Sequence, residues 1–173
     1  MKDYWLAKLI SSVQEVDSRK RLQKSVFLLQ LKRCPLKCDY LLHYYGPYSF
    51  ELAGLMDQLD GADIIEESPE QLGTGVVRYT SRITDKGSRV LNSFEKTERG
   101  REVRDEITRF IPRFQKLNGE DLWVLELAAT AGYYYEDDWQ DAKTQTATFK
   151  RIRINDTKLR TAIELAKEFV NTR

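Results

Sequence analysis

Histidine and cysteine, which often supply catalytic groups and metal ligands, are scarce in this chain of 173 residues, which has one histidine and two cysteines. Two cysteines cannot form the framework of a disulfide-rich domain. Cys34, Cys38 and His43 supply three potential zinc ligands, where a structural zinc site needs four. A single histidine gives no recognisable catalytic triad. We therefore expect a protein that is not an enzyme and that holds no metal and no cofactor.

Glycine, proline and long apolar runs are scarce too. Nine glycines and four prolines are too few for a linker-rich or disordered chain. Mean hydropathy is −0.56, and no apolar run approaches the roughly 18 residues of a membrane span. Residues 1–5 carry charge and aromatic rings where a signal peptide would need an apolar core. We expect a soluble, cytoplasmic protein with no membrane partner.

Charge of one sign is missing from whole stretches of the chain, although the net charge is only +1. Residues 18–38 hold seven basic side chains and no acid, and residues 49–77 hold seven acids and no base. Residues 120–141 again hold seven acids and no base. Such blocks form separate surface patches or pair with each other inside the fold. Internal pairing is the simpler interpretation.

Apolar spacing predicts that the first part of the chain is helical, with one short strand and one hairpin. Apolar residues three and four apart indicate the helices, and short apolar runs bounded by glycine or proline indicate the strands. The predicted order is a helix over 4–16, a second helix capped by Asp17 or Ser18, a strand over 40–45, a Gly46-Pro47 turn, a third helix after Ser49, a hairpin over 64–83 with its loop at 68–75, and a fourth helix from Thr84 with Val90, Leu91 and Phe94 inward.

The remainder is expected to be helical throughout. Its apolar positions follow the 3.6-residue period, and one segment is apolar on every side, as in a buried helix. The predicted elements are a helix over 103–117 kinked at Pro112, a buried helix over 122–131 capped by Asn118 and ended by Gly132, an ambiguous helix over 141–149, and a last helix capped by Asn155.

The order of these elements is that of a winged helix-turn-helix domain. A local marker is the run Ile83-Thr84-Asp85-Lys86-Gly87, which is similar to the turn that joins the second wing strand to a helix in many winged-helix proteins. The Thr84 hydroxyl can cap the helix, and Gly87 permits close packing. We predict a mainly α fold with a small β-hairpin (α+β). It comprises a winged-helix domain over 1–99 and a C-terminal helical subdomain over 100–173.

Two motifs resemble those of a known family. The runs RLQKSVFLLQ at 21–30 and YYGPYSFEL at 44–52 nearly complete the patterns K-x-x-F-L-L-Q and Y-G-P-Y-S-x-E-L of the YwgA-like family. These are uncharacterised prokaryotic proteins regarded as predicted transcriptional regulators. The chain also resembles, more distantly, Panacea-domain proteins, which act as antitoxins and protein-binding adaptors. The resemblance implies a fold more directly than an activity.

The predicted function is that of a winged-helix DNA-binding transcriptional regulator. Such a domain places its third helix in the major groove, but the exposed positions of this third helix include no Lys or Arg. Binding to DNA normally takes several contacts between basic residues and phosphates. The phosphate contacts would then come from Arg19, Lys20, Arg21, Lys24, Arg78, Arg82, Lys86 and Arg89.

The alternative is a protein-interaction module, such as an antitoxin-like or defence-associated adaptor. Its acidic third helix and hairpin would face a basic protein partner, with Tyr48, Glu51, Asp57 and Asp60 as candidate contacts. Tyr44, Tyr45, Tyr48 and Phe50 are dense enough to form an exposed aromatic patch, although core packing is the simpler interpretation. The fold class favours DNA binding, and the charge distribution favours protein binding. A homodimer is compatible with both.

Overall fold

Helices and two short hairpins make up the computed structural model, which describes residues 1–73 and 75–170. Within these residues the mainly α fold with small β elements is confirmed. No helix in these ranges is long and apolar enough to cross a bilayer. The elements are α1 (Lys2–Ser11), α2 (Arg19–Leu31), β1 (Leu41–His43), β2 (Gly46–Tyr48), α3 (Phe50–Gly61), β3 (Ile65–Leu72), β4 (Val76–Ile83), α4 (Asp85–Phe94), α5 (Glu98–Thr108), α6 (Ile111–Asn118), α7 (Leu122–Tyr134), α8 (Trp139–Lys150) and α9 (Thr157–Phe169).

The first helix is shorter than predicted. It ends at Ser11, and the hydroxyls of Ser11 and Ser12 donate to backbone carbonyls of the last turn at 2.8 and 2.6 Å. Serine hydroxyls compete with the helical ladder in this way. Val16, predicted to end the helix, instead forms an antiparallel bridge with Ser81 of β4.

The predicted starts of α2, α3 and α4 are confirmed. The hydroxyls of Ser18, Ser49 and Thr84 each accept a hydrogen bond from the backbone N–H three residues later, at 3.1, 3.1 and 2.8 Å. Such a bond satisfies one of the N–H groups that a helix start leaves unpaired. Gly87 is required by packing, because a Cβ there would lie 2.1 Å from the Ile64 carbonyl oxygen.

The Gly46-Pro47 segment is not the turn that the sequence predicts. Tyr44 and Tyr45 form the turn, and Gly46–Tyr48 is a strand paired with Leu41–His43. Gly46 has a φ of +89°, and a Cβ on it would lie 2.5 Å from Thr130 Oγ1 on α7. The glycine therefore serves both a left-handed backbone and a close contact between β2 and α7.

The second hairpin has a longer first strand and a shorter connection than predicted, and its second strand has the predicted bounds. Residues 68–72 belong to β3 instead of the loop, and the strands pair from Ile65 opposite Ile83 to Leu72 opposite Val76. Most of β3 is exposed. Because both faces of β3 are largely exposed, its sequence does not alternate between apolar and polar residues, and this alternation is the signal by which strands are recognised.

The predicted helix over 103–117 is two helices. Pro112 lies in the first turn of α6, where its missing N–H costs nothing. The chain therefore breaks before the proline, between α5 and α6, instead of kinking at it. In α4, Leu91 is buried as predicted, whereas Val90 is exposed.

Three further predicted boundaries are wrong. Asp121, not Asn118, caps α7, accepting the Val124 N–H at 2.9 Å. Asp156, not Asn155, caps α9. The helix also continues through Gly132, where a Cβ would lie 2.8 Å from a methyl carbon of Leu31. Gly132 thus allows α7 to approach α2 closely instead of ending the helix.

The core is centred on α7. This helix is buried from Val124 to Gly132 and contacts α2, α8, α9 and β2. Buried apolar residues form one cluster that extends from α1 to α9. The division into units over 1–99 and 100–173 stays a prediction. The central position of α7 brings one of its polar side chains beneath the β1–β2 hairpin, where the candidate site lies.

Candidate functional site

An exposed group of aromatic rings surrounds the β1–β2 hairpin. Tyr44 is 85% exposed, Tyr45 59% and Phe50 66%. The ring of His43 lies 5.1 Å from that of Tyr44 and 5.7 Å from that of Tyr48, and the Tyr48 and Phe50 rings are 5.1 Å apart. We call His43, Tyr44, Tyr45, Tyr48 and Phe50 the aromatic hairpin surface. The rings are thus not core residues, contrary to the simpler interpretation.

A cavity of about 310 Å³ opens between this hairpin and α2. Its aromatic lining comes from Tyr45, Tyr48 and Phe50, and its basic lining comes from the first two turns of α2. The basic residues are Arg19, Lys20 and Lys24. The cavity therefore combines flat rings with positive charge.

Lys24 is buried, although it is a lysine in the middle of a helix. It is 1% exposed, and its Nζ donates to the Pro47 carbonyl oxygen on β2 at 2.7 Å. Burial lowers the pKa of Lys24 to about 7, because the charged ammonium is poorly solvated there. In the part of the chain described, Pro47 is the one hydrogen-bond acceptor that this ammonium reaches.

A single buried carboxylate, that of Glu126 on α7, faces several lysines. Lys20 Nζ lies 3.1 Å from one Glu126 oxygen, and Lys150 Nζ contacts the other. Burial also lowers the pKa of Lys150, against the opposing effect of Glu126. We call Lys20, Lys24, Lys150 and Glu126 the lysine cluster. With all members ionised it carries three positive charges and one negative charge.

The predicted nucleic-acid contacts on α2 have different environments. Arg19 is partly exposed and pairs with Asp57 at 2.6 Å and with Glu67. Its hydrogen bond with Glu67 is the main reason that the pKa of Arg19 is raised. Arg21 is 6% exposed and donates to the carbonyl oxygens of Leu117 and Glu120 at 3.2 and 2.6 Å. Arg21 and Lys24 thus lie inside the protein, and α2 does not present all four bases to solvent.

Of the predicted contacts beyond α2, Arg82, Lys86 and Arg89 are exposed and Arg78 is half-buried, and most of them are paired. Arg78 pairs with Glu70, and Arg82 with Glu15 at 2.5 Å. Lys86 donates to the Ala62 carbonyl oxygen at 2.7 Å, and Arg89 is exposed on α4. Ion pairs within the fold thus occupy much of the basic charge that DNA would need.

The predicted acidic contacts lie outward on α3, as expected. Glu51, Asp57 and Asp60 are exposed. A hydrogen bond from Lys2 at 2.5 Å lowers the pKa of Glu51, and Asp60 accepts the Glu67 N–H at 2.9 Å. Tyr48, the fourth predicted contact, is half-buried at the end of β2.

The potential zinc ligands do not form a metal centre. Cys34 and Cys38 are buried free thiols, and burial raises the pKa of each to about 11. His43 lies apart from them on the aromatic hairpin surface. No group of three or more His, Cys, Asp or Glu side chains among residues 1–73 and 75–170 is arranged to hold a metal ion.

Sequence reasoning missed Glu126 and Lys150. Glu126 is the one acid between Asp121 and Tyr135, in a segment that is otherwise nearly all apolar. A carboxylate in such a helix is costly to bury unless a cation pairs with it. That signal could have identified Glu126, but its lysine partners come from α2 and α8 and depend on the tertiary fold.

Comparison with known proteins finds a similarity that covers part of this chain. No protein-family model matches the chain. The chain is similar to the uncharacterised protein YwgA of Bacillus subtilis (strain 168), with 33% identity over 87 residues. These residues are 50% of this chain and 52% of YwgA, so the chain spans about half the length of that relative.

Proposed function

We propose that the chain is a non-catalytic protein-interaction module. Its docking face comprises the aromatic hairpin surface and the acidic outward side of α3. The exposure of Tyr44, Tyr45 and Phe50 around one hairpin is the observation that carries the proposal. Exposed aromatic clusters are typical of interaction sites, where tyrosine contributes a large contact area at a low entropic cost.

The rings have basic residues on their α2 side and acidic residues on their α3 side, and the acidic residues of α3 favour a basic partner. Asp57 and Asp60 follow Phe50 along the exposed side of α3, and the α3 side contributes no Lys or Arg of its own. Acidic residues at the rim of an interface increase the rate at which a basic partner associates. The distant resemblance to Panacea-domain adaptors agrees with this role.

DNA-binding regulation is the second candidate, and one structural observation favours it. The bridge between Val16 and Ser81 adds a third strand segment beside β3 and β4. It supports a winged-helix arrangement in which α3 would be the recognition helix. The acidic side of α3 and the paired bases described above favour protein binding instead, because they leave little positive charge for phosphate.

Two substitutions of the same kind test the proposal. Tyr44→Ala removes the most exposed ring of the docking face, and Tyr133→Ala removes a tyrosine that is 40% exposed on α7. Proteins that associate with the wild-type chain should bind Tyr133→Ala with unchanged affinity. Their affinity for Tyr44→Ala should be lower by about tenfold or more. Equal retention by both variants, together with sequence-specific binding of duplex DNA, would reject the proposal in favour of the regulator.

A further inference from the structure

We propose that the cavity between α2 and the β1–β2 hairpin binds a small phosphorylated ligand with a flat ring, of the nucleoside monophosphate class. The proposal concerns the interior of the hairpin and requires no protein partner. It depends on unbalanced charge, on hydrogen-bond donors without acceptors, and on the rings that line the same space.

The first observation is the charge of the lysine cluster. Glu126 has two carboxylate oxygens, and Lys20 and Lys150 occupy one each. Lys24 lines the cavity and bonds to a neutral carbonyl. A buried ammonium without a paired carboxylate is costly, and an anion in the cavity would offset that cost.

The second observation is the supply of donors. An ammonium has three N–H donors, and in the described ranges Lys24 uses one of them, toward Pro47. Lys20 and Arg19 line the same cavity but are paired, Lys20 with Glu126 and Arg19 with Asp57 and Glu67. A phosphate group has enough oxygen acceptors to bond the remaining donors of Lys24 and to attract the two paired cations beside it, with the strength of charge-assisted hydrogen bonds.

The third observation is the shape and lining of the cavity. Small-molecule sites are largely apolar, with a few polar groups that fix orientation, and their volumes begin near roughly 300 Å³. This cavity, at about 310 Å³, is lined by Tyr45, Tyr48 and Phe50 beside the three bases. Such rings stack on nucleobases, as in proteins that bind single-stranded nucleic acid.

The structural role of Lys24 alone does not account for this arrangement. A methionine could fill the same volume without a desolvation cost. One hydrogen bond to the neutral Pro47 carbonyl does not offset the burial of an ammonium that has no paired carboxylate. The lysine therefore serves a charged ligand better than it serves the fold.

Calorimetry with adenosine monophosphate and uridine monophosphate tests the proposal, with adenosine and inorganic phosphate as separate probes. Both monophosphates should bind, and adenosine and phosphate should each bind at least about tenfold more weakly. Lys24→Met should weaken binding of the monophosphates at least about tenfold. Lys86→Met, at an exposed lysine away from the cavity, should leave binding of the monophosphates unchanged. Thermal melts should show that both variants are folded.

Proton uptake gives a second readout. At about pH 8 most Lys24 amines are neutral, and a bound phosphate should raise the Lys24 pKa. Binding should then take up a proton in the wild type and not in Lys24→Met, as measured in two buffers of different ionisation enthalpy. The charged and titratable groups facing Lys24 are Glu126, Lys150, Lys20, Arg19 and His43. If Lys24 is the group that takes up the proton, the His43→Gln variant should retain most of the proton uptake.

Three results would overturn the proposal: no saturable binding of either monophosphate, equal binding by wild type and Lys24→Met, or inorganic phosphate binding as tightly as the monophosphates. Tyr45, Tyr48 and Phe50 belong both to the docking face and to the cavity lining, whereas Tyr44 does not line the cavity and Lys24 is buried beneath the surface. Loss of protein binding in Tyr44→Ala and loss of ligand binding in Lys24→Met therefore report on separate claims.

Discussion

The ion pairs along the second hairpin and the lysine cluster beneath the first hairpin use the same residue types in opposite environments. Arg78 and Glu70 pair at the surface, where solvent and salt weaken the interaction. Glu126 and Lys150 pair in the interior, with side chains 4% exposed. The exposed pairs can therefore be rearranged at little cost, whereas the buried charges are held in place and depend on each other.

The largest expected effect comes from removing the single carboxylate of the buried cluster. Glu126→Gln leaves Lys20, Lys24 and Lys150 close together without a counter-charge. We expect a loss of about 3–5 kcal/mol in the free energy of unfolding. Glu70→Gln, the matched change at the surface, should cost less than about 1 kcal/mol. Urea denaturation measures both, and equal losses would show that the two environments do not differ as described.

The next effect concerns the contact that positions the first hairpin over the cluster. Gly46→Val should lower the free energy of unfolding by roughly 1–3 kcal/mol, because Gly46 has a positive φ and lies against Thr130. Gly54→Ala is the control, since nothing lies within 4 Å of a Cβ at that helical position. The control should be neutral or slightly stabilising. A Gly46→Val variant as stable as wild type would contradict this account of β2.

The pH dependence of stability should distinguish the buried lysine from its exposed counterparts. The pKa of Lys24 is about 7 in the folded chain against 10.5 normally, so between these values the unfolded chain binds more protons. Stability from this group therefore rises with pH, by at most about 1.4 kcal/mol per unit. Above about pH 9 the thiols of Cys34 and Cys38 oppose the rise, since their pKa is raised from 9.0 to about 11.

Unfolding free energies of wild type and Lys24→Met at several pH values between about 7 and 9 measure this effect. The rise should be smaller in the variant, where only Lys150 retains a lowered pKa of this kind. Lys86→Met should keep the wild-type slope. The same slope in all three proteins would mean that Lys24 is ionised in the folded chain throughout this range.

The smallest effect should come from the acidic side of α3. Asp57→Lys with Asp60→Lys should slow association with a basic partner by about tenfold or less and leave dissociation nearly unchanged, because rim charges act mainly on the association rate. Stopped-flow or surface-binding kinetics at two salt concentrations measure it. An unchanged rate with the partner, together with tighter binding of duplex DNA, would favour the regulator.

Local signals in the sequence predicted much of the fold. Ser18, Ser49 and Thr84 were identified as helix caps because the requirement for a hydroxyl at a helix start is local. The strand at Gly46–Tyr48 could not be predicted in this way. Gly46 is required by its close contact with Thr130, which lies more than 80 residues away in the sequence. The Gly-Pro pair alone favours a turn.

The candidate site was predictable only in part. The density of rings around Tyr44 and Phe50 indicated an aromatic patch, but exposure depends on what packs over the hairpin. The basic run in α2 was visible, yet its division between surface and interior was not. Lys20 and Lys24 are on the side of α2 that faces Glu126 of α7. The pairing of Lys20 with Glu126 follows from tertiary packing alone.

Photo-crosslinking from position 44 tests the proposed docking face most directly. A benzoylphenylalanine in place of Tyr44 would project from the hairpin turn, and the same group in place of Tyr133 would serve as the control. We expect a discrete crosslink to a protein from position 44 that forms up to about tenfold more slowly with Asp57→Lys and Asp60→Lys, and no such product from position 133. Identical products from both positions, or crosslinks to nucleic acid alone, would contradict this expectation.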